Sequence, residues 1–371
     1  MRWGSAGEPG ALVDSDAHRA ELTAETARLL AFFEEPSGID RFRWRRVDGS
    51  VDVDQPLALY NVGRLVHCFA IAQLLGHPQT GGWAEDGVRV LLDRFVESES
   101  LGFVDAVDID QATVVSDART TYGHAFALLA GTTARQAGIA GSDEVVRRAV
   151  EAIDAWLWHD DVGAAVDAVD RHGRVLEAYR GQNANMHLTE AFTAAYEDDR
   201  DPKWLRRAER LAQRLVVDTV VPHDARIPEH YGPDWVIDPD YGRETPFDQF
   251  RPFGTMPGHA VEWARLLLNI GAYSEVMHAP LLTCAKALFA GALRDGREDG
   301  IAGLAYTVDY DGNVVSHARM HWVAAEALGA AAWLARATGE PEYAEYYSDF
   351  WHDITTYFAD HRSGSWWHEL D

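Results

Sequence analysis

A chain of 371 residues, 47% of them hydrophobic, carries enough apolar surface for a large buried core. Acidic residues outnumber basic ones 59 to 33, a net charge of -26 that repels phosphate backbones and argues against nucleic-acid binding. The opening MRWGSAGEPGALVDSD has no apolar core and no run of about 18 apolar residues follows, so neither a secretory signal nor a membrane-spanning helix is expected.

Residues 16–34 predict an amphipathic helix capped by Ser15 or Asp16. FRWRRVDGSVDVDQP then alternates around Asp48-Gly49 and reads as a short hairpin. YNVGRLVHCFAIAQLLG predicts a helix with Arg64 and His67 in its first turn, stopped at Gly76 and Pro78. A second, more amphipathic helix follows over about 80–96. The scheme then returns. TTYGHAFALLAGTTARQAG pairs with SDEVVRRAVEAIDAWLW, and NANMHLTEAFTAAYE pairs with PKWLRRAERLAQRLVVDTV. PGHAVEWARLLLNIG pairs with a helix near 278–294, and ARMHWVAAEALGAAAWLARATG pairs with PEYAEYYSDFWHDITTYFAD. Long inserts at 161–180, 222–256 and 303–316 read as walls on one rim.

The recurring unit, about 60 residues long, is a polar start bearing a histidine, a small-residue helix, a turn and an amphipathic helix. The histidines are His67, His124, His187, His259 and His321. Repetition on this scale predicts an all-α fold of stacked helical hairpins, small-residue helices inside and charged partners outside. If such a ring closes, the histidine-bearing ends converge on one polar, concave site. Thirteen Trp, thirteen Tyr and sixteen His suit a sugar, whose C–H faces stack on rings while its hydroxyls seek polar partners. Counting leaves one helix short: residues 16–34 and five hairpins fall one inner helix below a closed six-hairpin ring. By the spacing, that helix would start at roughly residue 380, beyond Asp371. Cys68 and Cys284 lie in apolar helical patterns and read as buried free thiols of a reducing, cytoplasmic compartment.

The densest chemistry lies in RPFGTMPGHAVEWARLL, residues 251–267. Pro257 and Gly258 open a helix on which His259 and Glu262 stand at i and i+3, with Arg251 just before it. An arginine, an imidazole and a carboxylate at the positive end of a helix suit proton transfer with a developing oxyanion.

The ordered series R-x-x-H-x-F-A, Y-G-H-A-F, N-A-N-M-H-L-T-E-A, F-R-P-F-G-T-M-P-G-H-A-V-E-W-A-R-L-L, H-W-V-A-A-E-A and W-W-H-E-L-D resembles the N-acylglucosamine 2-epimerase superfamily. The likeness runs from about Trp44 to the last residue and is strongest to its aldose–ketose isomerase branch, the mannose and sulfoquinovose isomerases. The resemblance implies an (α/α)6 barrel as a single catalytic domain over residues 1–371. It also implies a monosaccharide substrate and isomerisation between C1 and C2 through a cis-enediolate without metal or other cofactor. Mannose and fructose are the expected pair, with lyxose and xylulose a further one. His259 matches one of the family's two catalytic histidines; the other follows the H-E-L-D segment and is not in this sequence. By the same resemblance Glu262 orients His259, and Arg64 contacts sugar oxygens and the enediolate. Tyr122, Asn183, His187 and Arg251 match substrate-binding positions, and Trp322 and Glu326 match a wall aromatic and a pocket carboxylate.

Other readings stand beside these. His67 also fits as a buttress for Arg64, and His124 as a satisfied core residue; His159, His172, His223, His230 and His352 read as solvated. A 2-epimerase shares the fold. A glycoside hydrolase would need two carboxylates flanking a bond, for which Glu262 and Glu326 are the candidates. A non-catalytic sugar-binding protein is the third alternative, and monomer and dimer are both open.

Overall fold

A computed structural model describes residues 12–370. They form two compact units, one of residues 34–211 and one of residues 12–33 with 212–370. Both are built of helical hairpins.

In the first unit, helices α2 (Leu59–Leu74), α4 (Thr121–Gln136) and α6 (Gln182–Asp199) pack side by side, while α3 (Gln79–Arg94) and α5 (Ser142–Ala152) pack back on α2 and α4. Small residues permit this. A Cβ at Gly63 of α2 would stand 2.8 Å from the Phe126 carbonyl oxygen of α4, so glycine there sets how closely the backbones meet. Helix α4 is buried continuously from Gly123 to Ala134, as expected of an inner helix. Helix α7 (Pro202–Ala212) turns Trp204, Ala208 and Leu211 inward, Trp204 stacking on Phe192 of α6. The Asp48-Gly49 turn is present, closed by a bridge between Arg45 and Val51.

In the second unit α8 (Pro257–Gly271) packs on α9 (His278–Gly296) and α10 (His321–Thr338), and α10 packs on α11 (Pro341–Asp353). Helix α1 (Asp16–Ala31), capped by Ser15, is tied to α11 and to the chain beyond it. His18 hydrogen-bonds Tyr347, Arg28 donates to the Asp360 and Ser365 carbonyls, and Trp366 donates to Glu25.

A shared device sets the start of α2, α4 and α10. The first helical N–H donates to a carbonyl from the following loop: Leu59 to Asp105, Thr121 to Asp167, His321 to His368. Pro257 has no N–H, and there the pairing sits two residues upstream, between Thr255 and Val308. Two buried arginines, each two residues before an inner helix, reach back to the preceding loop: Arg119 to Glu97 and Arg319 to Glu298.

Cys284 is buried as the sequence predicts, but Cys68 is exposed. It falls on a part of the α2 surface that also leaves Ile71 and Leu75 uncovered. His230 corrects another expectation. The loop folds it inward, where its Nε2–H donates to the Pro252 carbonyl at 2.8 Å, and burial pushes its pKa down.

Candidate active site

In the first unit, three inner helices bring Arg64, Tyr122 and His187 together. Arg64 Nη2 donates to the Tyr122 hydroxyl at 2.7 Å, and its guanidinium lies 4.1 Å above the Phe126 ring. The His187 ring meets Tyr122 edge-on at 5.1 Å and Phe126 at 4.7 Å, with Nδ1 3.4 Å from Glu190. Tyr60 packs beside Tyr122, and burial, then that neighbour, pushes its hydroxyl up to about 12. Asn183, one turn before His187 on α6, has a buried side-chain oxygen without a hydrogen-bond partner among the described residues. A buried orphan acceptor is costly in the folded chain and gains a partner when a hydroxyl arrives.

Two other histidines in this unit are structural. His124 Nδ1–H donates to the Thr120 carbonyl and its Nε2 accepts the Phe103 N–H, so both ring nitrogens are satisfied in the neutral form. Burial holds its pKa down to about 4. His67 Nδ1 lies 2.8 Å from the Thr133 hydroxyl of α4, so it links two helices.

In the second unit, His259 and Glu262 stand one turn apart at the start of α8, both 4% exposed. Trp322 of α10 flanks the His259 ring at 5.5 Å. Gly258 is glycine because Trp322 lies against it: a Cβ there would stand 2.6 Å from the indole. A carboxylate that the sequence reading did not single out lies on His259. Both oxygens of Glu229 lie on Nδ1, at 3.0 and 2.9 Å, and one also accepts the Met256 N–H at 3.3 Å. Thirty residues and a long loop separate Glu229 from His259, so no helical periodicity pointed to it.

Glu326 is paired with a cation. Both its oxygens bind Arg265, at 2.6 and 3.1 Å, and this ion pair joins α10 to α8. Arg251 lies at the foot of the 222–256 loop, its Nη1 3.5 Å from the Tyr241 hydroxyl, and Tyr241 in turn lies on His230. His321 is turned to the chain terminus, its Nδ1 on the His368 carbonyl at 3.0 Å.

The family model for N-acylglucosamine 2-epimerase (GlcNAc 2-epimerase) matches residues 41–371. A D-mannose isomerase of Thermobifida fusca is 39% identical over 96% of this chain and 88% of its own length. A crystal structure of D-mannose isomerase superposes with a TM-score of 0.89 at 31% identity, over 98% of this chain and 92% of that one. Cellobiose 2-epimerase from Spirochaeta thermophila DSM 6192 shares the fold, with a TM-score of 0.81 at 19% identity over 98% and 90%. The chain belongs to the N-acylglucosamine 2-epimerase family and is an enzyme, a sugar isomerase. Its fold is all-α and of the (α/α)-barrel class. No helix among the described residues is long and apolar enough to cross a membrane.

Proposed function

We propose that this enzyme interconverts D-mannose and D-fructose, an aldose–ketose isomerisation that needs no metal ion. The observation that carries the reading is His259: a buried imidazole at a helix start, held through Nδ1 by a carboxylate and flanked by a tryptophan. That arrangement suits an acid–base group that opens the sugar ring and carries the proton between O1 and O2 of the enediolate. The family resemblance assigns the carbon-bound proton to a second histidine following the H-E-L-D segment. Arg64, tied to Tyr122, supplies fixed positive charge for the enediolate oxygen. Asn183 and His187 are substrate contacts on this reading, and Arg251 is a rim contact. The likeness to D-mannose isomerases favours mannose over other sugars. An exposed free thiol at Cys68 is in keeping with the cytoplasm.

The test is incubation with D-mannose in EDTA, following fructose, with His259→Ala alongside. Fructose from the wild type and a loss of about 10²–10⁴-fold in the variant are expected. Glucose without fructose would make the enzyme an epimerase, and activity only with added divalent metal would refute the metal-free reaction.

A further inference from the structure

We infer that Glu229 is the positioning residue of His259, and that it is a helix-capping acid made to reach an imidazole by one extra methylene. For its effect on turnover, the inference rests on the function proposed for His259.

Asp105, Asp167 and Glu229 follow one another at an even spacing of 62 residues, at the same place in successive loops. The side chain of each bonds the residue that caps the next inner helix. Asp105 accepts the Thr120 hydroxyl at 2.7 Å ahead of α4, Asp167 accepts the Gly181 N–H at 2.9 Å ahead of α6, and Glu229 accepts the Met256 N–H at 3.3 Å ahead of α8. In all three the negative charge also lies at the positive end of the helix it caps. At the first two places aspartate is long enough for the cap. At the third, glutamate carries both oxygens past the cap to Nδ1 of His259, in the first turn of the capped helix.

The surroundings fit a charge aimed at the ring. Glu229 is 4% exposed. Tyr231, whose hydroxyl is buried with no partner among the described residues, has its ionisation suppressed by burial, then by Tyr310 and by the Glu229 charge, and Tyr310 by burial and then by the Glu229 charge. A carboxylate on Nδ1 keeps the proton on that nitrogen and leaves the lone pair of the neutral ring on Nε2, the nitrogen that exchanges protons with the sugar oxygens.

Capping and positioning separate on substitution. Glu229→Asp keeps the charge and the reach to Met256 but withdraws from the ring. Glu229→Gln keeps the length but can turn an amide N–H toward Nδ1 and invert the tautomer, as amide replacement does in a catalytic triad. With D-mannose, both variants should lose about 10²–10⁴-fold in kcat with KM within about threefold. Glu229→Asp should keep its melting temperature, whereas Asp105→Asn should lower the melting temperature and leave kcat alone. Nitrogen-15 spectra of histidine-labelled protein should give His259 as the Nδ1–H tautomer in the wild type and a changed tautomer in Glu229→Gln. Wild-type kcat in Glu229→Asp, or an Nε2–H tautomer in the wild type, would overturn the inference. A wild type that converts no mannose would refute the proposed function, while the spectra would still decide the part of Glu229.

Discussion

His259 and His124 both stand near the start of an inner helix, three and four residues past its cap, and do different work, because each ring is decided by what meets its nitrogens. His124 is locked neutral between a carbonyl and an N–H. Unfolding releases it to the ordinary value near 6.5, above its folded value of about 4. The unfolded chain therefore binds a proton in that window and the folded chain does not, so stability is whole above pH 6.5 and falls as the pH drops toward 4. The loss should approach roughly 3 kcal/mol, and urea titrations from pH 7.5 to 4 should find a shallower slope in His124→Gln. In the first unit, Tyr122→Phe removes the oxygen that steadies Arg64. It should cost about 1–2 kcal/mol of transition-state stabilisation, near tenfold in kcat/KM; unchanged kinetics would show that Arg64 orients itself by its packing on Phe126. At this scale the sequence was readable where residues lie one turn apart on one helix, as His259 and Glu262 do at the buried start of α8. It was not readable where a partner comes from a distant loop, which is why Glu229 was missed.

Elements were more legible than residues, because small-residue inner helices and charged outer ones differ in composition along their whole length. Helix starts less so: they depend on bonds from the next loop, such as Leu59 to Asp105, which no local pattern carries. The buried arginines ahead of α4 and α10 belong here. Arg119 is fully buried and binds Glu97 together with the Leu101 and Asp117 carbonyls. Removing it leaves a carboxylate and two carbonyls without their donor, so Arg119→Met should destabilise by about 3 kcal/mol, measured by urea unfolding. A smaller loss, under about 1 kcal/mol, would mean water replaces the guanidinium at little cost.

For the molecule as a whole, the repeat period and its histidines carried the fold class, and the comparisons agree with it. The net charge of -26 has its own consequence. Self-repulsion on this scale weakens the compact state and is screened by salt. Raising sodium chloride from about 20 to 300 mM should therefore lift the melting temperature by a few degrees. A fall would mean that paired surface charges outweigh the repulsion.

The shared loop residues also restrict how this architecture can grow. Asp105 and Asp167 each hold one inner helix by a carbonyl and the next by a carboxylate, so neighbouring hairpins are stitched together like links and none can be cut out alone. Extra chain is accommodated only after the stitch. Glu229 stands 27 residues before the cap it reaches at Met256, against 15 from Asp105 to Thr120 and 14 from Asp167 to Gly181, and the excess falls in the loop that carries Arg251. Lengthening or exchanging a segment past the stitching residue should be the route by which such enzymes acquire new substrates, with the stitched ends inherited unchanged.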